Sequence, residues 1–118
     1  MTDLTPTTLT LDTASATLAI ASQTAFTDAS DIDIAYPQEG KLLIIINSTY
    51  AGANTATIAA GDGLASGVGD YEITTAQNGV YYVVISSSRF KTLAAGAGTI
   101  NVTFGTSNTG FIHALYIP

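Results

Sequence analysis

The chain contains no cysteine, no tryptophan, a single histidine and only three cationic side chains. Without cysteine there is no disulfide framework, and one histidine cannot supply the several nitrogen or sulfur ligands of an ordinary zinc site. Three cations against nine carboxylates give a net charge of −6. No basic patch can therefore neutralise nucleic-acid phosphates or an anionic membrane surface, so we expect neither among its partners.

Long hydrophobic runs are also missing. Apolar runs such as Leu42 to Ile46 are far shorter than the roughly 20 residues that a membrane-spanning helix needs. Met1 to Pro6 lacks the basic and apolar regions of a signal peptide, so we expect the chain to be made and kept in a cytoplasm, or to be assembled there into something larger. The length of 118 residues fits one domain with a core of its own.

What the chain does have is a period of two in its apolar residues. Asp31 to Tyr36 alternates strictly, which predicts a half-buried strand with Ile32, Ile34 and Tyr36 on one face. Threonine, isoleucine, alanine, serine and glycine dominate the composition and favour strands and tight turns over helices.

Two stretches, Lys41 to Asn47 and Val80 to Ile85, are apolar on both faces. Their length and their content of β-branched residues predict central strands that are covered on both sides. Gln23 to Ser30 predicts a polar loop. Residues 98–117 predict a final hairpin, with its turn at Thr106 to Gly110, that closes the sheet.

Eight or nine short strands with turn signals between them, and no helical period, predict an all-β fold. We expect a single-domain antiparallel β-sandwich or barrel, of jelly-roll or immunoglobulin-like type. Pro6 belongs at the edge or the start of a strand. Residues 1–12 are therefore assigned to an extended N-terminal arm and residues 13–118 to the β-sandwich domain.

No group of residues predicts catalysis. His113 stands without the G-x-S-x-G elbow of a hydrolase, so we expect a structural or interface histidine. Asp28, Asp31 and Asp33 lack the spacing of an EF-hand loop; capped turns are the expected use, and calcium stays an alternative. The glycine-rich stretch 61–70 lacks the lysine and the helix of a phosphate loop. We expect no catalytic residue, no metal, no cofactor and no enzymatic activity.

Short motifs follow one another in a distinctive order over residues 36–118. They are Tyr36-Pro37, Gly40-Lys-Leu-Leu-Ile44, Asn54-Thr-Ala-Thr-Ile58, Ala60-Gly-Asp-Gly63, Gly69-Asp70, Ile85-Ser-Ser-Ser-Arg-Phe-Lys91, Gly98-Thr-Ile-Asn-Val-Thr-Phe104 and Gly110-Phe-Ile-His-Ala-Leu-Tyr-Ile-Pro118. In this order of motifs, the sequence resembles the decoration, or cement, proteins that lie on the outside of tailed-bacteriophage heads. The resemblance implies a non-enzymatic protein of the virion that binds the outer surface of an icosahedral capsid after assembly in the host cytoplasm. It also implies that the chain stabilises contacts between subunits of the major capsid protein, and that it forms a dimer or trimer.

Three features supply candidate contacts with the capsid or with another subunit. The arm, Thr2 to Leu11, alternates and could add a strand to the open edge of a neighbour. Arg89 and Lys91 could pair with a carboxylate, either inside the fold or on a partner. Tyr82 must point away from its neighbour Tyr81, and tyrosine is favoured at interfaces. The expected contacts are Leu4, Thr5, Pro6, Leu9, Leu11, Arg89, Lys91 and Tyr82.

The sequence leads to one expected result for the arm and leaves one alternative class of protein open. Deletion of residues 2–11 is expected to abolish capsid binding while leaving the fold intact. The alternative class is a carbohydrate- or receptor-binding β-sandwich module of a virion fibre or tail, with the six tyrosines as its platform. Tryptophan, the usual residue for stacking on a sugar, is absent.

Overall fold

The computed structural model describes residues 2–8, 24–28, 30–36, 41–61, 69–85, 91–92 and 98–117. Within these ranges the chain forms strands and turns but no helix, so no described helix is long enough to cross a membrane. The eleven strands are β1 (Thr2–Leu4), β2 (Thr7–Thr8), β3 (Thr24–Phe26), β4 (Asp31–Ala35), β5 (Lys41–Ser48), β6 (Asn54–Ile58), β7 (Tyr71–Thr75), β8 (Val80–Ile85), β9 (Lys91–Thr92), β10 (Thr99–Phe104) and β11 (Gly110–Ile117). The all-β prediction is confirmed.

The strands form two sheets. The first sheet has the order β1-β4-β10-β6-β7, and β9 lies beside β10; the second has the order β2-β11-β5-β8, and β3 lies beside β11. No pairing between described strands joins the two sheets, so the fold is an open two-sheet sandwich and not a closed barrel. Both sheets are mixed, because β1 runs parallel to β4 and β2 runs parallel to β11.

One hydrophobic core lies between the sheets. Alternate residues of β4 and β10 point inward, as the period of two predicts, and Ile32, Ile34 and Tyr36 are all buried. The rings of Phe26 from the second sheet and Phe104 from the first sheet stack with their centroids 3.7 Å apart. Each fully buried aliphatic or aromatic side chain stabilises the fold by about 1.5–3 kcal/mol relative to exposure. The core therefore holds the two sheets face to face.

The predicted final hairpin is wrong. β10 lies in the first sheet and β11 lies in the second, so residues 105–109 cross from one sheet to the other instead of reversing the chain within a sheet. The crossing is fixed by Asn108, which is fully buried between the sheets. A turn signal marks where the chain changes direction, but it does not say in which sheet the next strand finds its partner.

The predicted loop over residues 23–30 is also wrong, because Thr24–Phe26 forms β3 and pairs with β11. Three residues are too few to show a period. The physical reason for the strand is Phe26, whose side chain is buried against the core.

The N-terminal residues belong to the sandwich itself. β1 pairs with β4 in the first sheet, β2 pairs with β11 in the second, and Thr5 and Pro6 carry the chain between them. Leu4 is a buried member of the core. Residues 2–8 are therefore not a separate arm, and residues 9–12 of the predicted arm lie outside the described residues. Deleting residues 2–11 removes β1 from the first sheet and β2 from the second. The prediction that this deletion leaves the fold intact is therefore wrong.

Candidate functional site: the outer face of the second sheet

The outer face of the first sheet is polar and acidic. Because β4 and β10 turn their isoleucines inward, their alternate residues Asp31, Asp33 and Asn101 point outward. Asp3 lies beside Asp33 on β1, and Glu72 continues the same face on β7. Threonines fill most of the remaining positions. We call this surface the acidic face.

The outer face of the second sheet is apolar, and we call it the apolar face. Its residues lie in rows across β8, β5 and β11, which the strand register defines. The rows are Val80–Asn47–Phe111, Tyr82–Ile45–His113 and Val84–Leu43–Leu115. Lys41 and Ile117 lie opposite each other at its rim. Of the nine side chains in the three rows, only those of Asn47, Tyr82 and His113 carry a hydrogen-bonding group.

Exposure on the apolar face increases towards β8. In the middle row Ile45 and His113 are buried, with exposed fractions of 7% and 8%, whereas Tyr82 at the end of the row is 67% exposed. Its neighbours Val80 and Val84 are 45% and 58% exposed. Three adjacent outward positions of one strand thus present large apolar side chains to solvent. This is the part of the described surface that most needs a partner.

The prediction of a central strand is confirmed for β5 but not for β8. β5 lies between β11 and β8, whereas β8 is the last strand of its sheet among the described residues. The inward residues Tyr81 and Val83 pack against the core, and the outward residues do not. A run that is apolar on both faces predicted burial on both sides. In β8 the outward side is instead exposed to solvent.

Tyr82 is the predicted contact that the structure places on this surface. Tyr81, its neighbour, turns inward, and the Tyr81 hydroxyl accepts a hydrogen bond of 2.9 Å from the backbone N–H of Ala76. The expectation that the two tyrosines face opposite ways is therefore met, and Tyr82 is the one that leaves the core. Sequence reasoning missed Val80 and Val84, because their exposure depends on the position of β8 in the sheet.

The other predicted contacts do not gather at one place. Leu4 is buried in the core, so its side chain is not available to a partner, whereas Thr5 is exposed and Pro6 is half-buried. The backbone of Lys91 pairs with that of Ile100 in the first sheet. Leu9, Leu11 and Arg89 lie outside the described residues.

Three aspartates, Asp28, Asp31 and Asp33, accept hydrogen bonds within the fold. The side-chain amide of Asn101 donates hydrogen bonds to Asp31 and to Asp33, the latter at 2.8 Å. Asp28 accepts a hydrogen bond of 2.8 Å from the backbone N–H of Ser107. These contacts are those of capped turns and cross-strand pairs. Among the described residues, no group of three or more potential metal ligands is arranged to hold an ion.

His113 lies under the apolar face, on the side opposite to Ile112 and Ala114, as its place on a strand predicts. Its Nε2 lies 3.3 Å from the hydroxyl of Thr7, which ties β2 to β11. Its Nδ1 is buried, and no described group hydrogen-bonds to it. Burial in this apolar setting lowers the pKa of His113 below its ordinary value of 6.5.

The pH dependence of stability follows from that lowered pKa. Since the folded state disfavours the charged imidazole, we expect the free energy of unfolding to be highest above pH 6.5 and to fall as the pH drops from there through the folded-state pKa. Urea unfolding at a series of pH values between 5.5 and 8 measures this slope. Because the chain has one histidine and no cysteine, the His113→Gln variant should show a flatter profile. Equal slopes for the two proteins would contradict the assignment.

As a chemical surface, the apolar face offers contact area and few directed hydrogen bonds, which suits association with another protein. Comparison of the chain with protein-family models, with curated proteins and with solved structures found no match in any of the three.

Proposed function

We propose that this chain is a non-enzymatic structural protein that binds the outer surface of an icosahedral phage capsid and stabilises contacts between subunits of the major capsid protein. The observation that carries the proposal is the contrast between its two outer faces. The acidic face is suited to water, whereas the apolar face exposes Val80, Tyr82 and Val84 side by side. A sandwich with one polar, hydrated face and one apolar face is suited to bind a larger assembly through its apolar face.

Hydrophobic burial supplies the driving force for such binding. Covering apolar surface is favourable by roughly 25 cal/mol per Å², and tyrosine is prominent among the residues that dominate interface energies. A capsid presents many equivalent positions, so each copy needs to contribute only a modest free energy to strengthen the shell.

Charge gives the proposed orientation. The chain carries a net charge of −6, and Asp31, Asp33 and Glu72 all lie on the acidic face. With the apolar face on the shell, these carboxylates point to solvent and keep their hydration. The reverse orientation would bury carboxylates and leave the valines in water, which costs free energy on both counts.

A glycan-binding module remains the rival, because an exposed tyrosine such as Tyr82 could stack on a sugar ring. Sugar sites also need several polar groups placed around the ring. The nearest outward neighbours of Tyr82 are Val80, Val84 and Ile45, and none of them carries a hydrogen-bonding side chain. The surroundings of Tyr82 therefore favour a protein partner.

Counting copies on purified particles tests the proposal directly. Quantitative mass spectrometry of particles from the virus that encodes the chain would compare its abundance with that of the major capsid protein. A ratio near one, or a simple fraction such as one third, would support a shell-wide decoration protein. A few copies per particle would move the assignment to a fibre or tail. Absence from particles, together with binding on a glycan array, would favour the rival.

A surface variant tests the role of the apolar face. Tyr82→Ala is expected to weaken binding to particles that lack the chain by at least tenfold, since interface tyrosines often contribute about 2 kcal/mol or more. Titration of such particles with purified protein, followed by sedimentation, measures the affinity. Glu72→Gln, an exposed change on the acidic face, is the matched control and should bind like the unmodified protein. Equal affinities for both variants would remove the apolar face as the contact.

A further inference from the structure

The free edge of β8 is a second feature of the same strand. Among the described strands, β8 pairs only with β5, so its other edge presents unpaired backbone groups. Natural proteins protect such edges with charges, prolines, bulges or very short strands. Val80–Ile85 has six residues and carries no charge and no proline. An edge that is apolar and unprotected is a template for another strand.

We propose that the occupant is a second copy of this chain, whose β8 pairs antiparallel with the first across a twofold axis at Tyr82. The two second sheets then become one continuous sheet, and the two apolar faces become one surface. The proposal rests on the edge of β8 and holds whether or not a capsid is the partner of the apolar face.

The period of two fixes the register. In a continuous sheet, residues that lie opposite each other must point to the same face. Val80, Tyr82 and Val84 point outward, while Tyr81, Val83 and Ile85 point inward. The self-pairing that keeps this match and centres the strand places Tyr82 opposite the second copy's Tyr82. Val80 then lies opposite Val84, and Tyr81 opposite Val83.

Charge and length together select this edge for a second copy, because the other uncharged edge strands, β2 and β3, have only two and three residues. Identical chains bring identical charges together, and like charges on neighbouring strands are destabilising. The edge strand β1 carries Asp3 and the edge strand β7 carries Glu72. β8 has no charged residue, and Leu43, Ile45 and Asn47 beside it on β5 have none either. Two copies of a chain of net charge −6 can meet here without opposing carboxylates.

The absence of cysteine from the chain gives a sharp test of the register by single-cysteine variants. Tyr82→Cys is expected to form a disulfide-linked dimer on mild oxidation, because the two residues at the axis lie directly opposite, with Cα atoms about 5 Å apart. Val84→Cys is the matched control. Its two copies would lie about 13 Å apart along the strand, which is beyond disulfide reach. A mixture of Val80→Cys and Val84→Cys proteins should cross-link between the two variants.

Solution mass provides the second readout. Sedimentation equilibrium of the unmodified protein is expected to show a dimer, and Tyr82→Lys should shift it to monomer. Thr74→Lys, the same new side chain at an exposed position of β7, should leave the dimer in place. Unmodified protein that stays monomeric up to its solubility limit would overturn the proposal. So would Val84→Cys that self-cross-links as readily as Tyr82→Cys.

The outcomes separate this inference from the proposed function. A dimer with the predicted cross-links that does not bind particles would support the pairing of β8 and count against the capsid role. A monomer that binds particles through β8 would support the capsid role and count against the pairing of two copies. A strand of the capsid protein, and not a second copy, would then occupy the edge of β8.

Discussion

The Gly110→Ala variant is expected to lose on the order of 3 kcal/mol or more of folding stability, from steric overlap and backbone strain together. Gly110 has a φ of 156°, a value that side chains rarely adopt. A Cβ atom there would lie 2.1 Å from the backbone oxygen of Asn47 and 2.8 Å from the ring of Phe26. Neither group can move freely, because Asn47 belongs to the ladder between β5 and β11 and Phe26 is stacked on Phe104.

Urea unfolding of the purified variant measures this loss. Gly52→Ala is the matched control, since the nearest obstacle to its Cβ is the flexible edge of the Tyr50 ring at 3.2 Å. That variant should change the free energy of unfolding by only about 0.5 kcal/mol, as expected for a surface position. Similar losses for the two variants would mean that the close approach of β11 to β5 at Gly110 does not matter for stability.

The second large effect is expected at Asn108, where alanine should cost about 2–3 kcal/mol. Asn108 is fully buried in the crossing from β10 to β11. Its side-chain amide donates a hydrogen bond of 2.9 Å to the backbone carbonyl of Thr55 and lies 3.4 Å from the hydroxyl of Thr75. Alanine leaves the Thr55 carbonyl with only its hydrogen bond of 3.0 Å from the backbone N–H of Gly105. It also takes the Asn108 side chain away from the hydroxyls of Ser48 and Thr75, which are fully buried, and removing the partner of buried polar groups costs free energy on that scale.

Ser48→Ala is the comparison that isolates this contact. The Ser48 hydroxyl reaches the Asn108 side-chain oxygen only at 3.4 Å, so its loss should cost less than about 1 kcal/mol. Unfolding in urea ranks the two variants. A larger loss for Ser48→Ala would show that the bond from Asn108 to Thr55 is not what secures the crossing.

Local patterns predicted local structure well. The alternation in β4 gave the buried face of Ile32, Ile34 and Tyr36, and a turn is present within Thr106 to Gly110, with Ser107 at a φ of 66°. Both features depend on neighbours in the sequence. Side-chain alternation and left-handed turn residues act over two to four positions, so a single sequence is enough to show them.

Long-range pairing is where sequence reasoning failed. The placement of β10 and β11 in different sheets depends on Asn108 finding Thr55 and Thr75, more than 30 residues away. In the same way, Leu4 joins the core only because β1 finds β4. The local composition of a strand does not indicate which other strand it pairs with. The longer alternating strands were therefore predictable, whereas the three-residue strand β3 and the assignment of strands to sheets were not.

The candidate site shows the same division. Opposite orientations for Tyr81 and Tyr82 followed from their adjacency on a strand. That Tyr82, and not Tyr81, faces solvent depends on the position of β8 at the end of the sheet. Val80 and Val84 were missed for the same reason, since a valine in an apolar run predicts burial until the neighbouring strands are known.

The pairing of β2 with β11 has a consequence for biosynthesis. Thr7 pairs with Leu115 in the second sheet, so β2 can find its partner only after the long stretch of chain between them has been made. β5 also waits, because β11 covers its whole length from Lys41 to Ser48. Until β11 is made, the apolar β5 has an open edge that a neighbouring nascent chain could occupy. The second sheet therefore cannot be completed before β11 has been made, and β5 is exposed to aggregation until then.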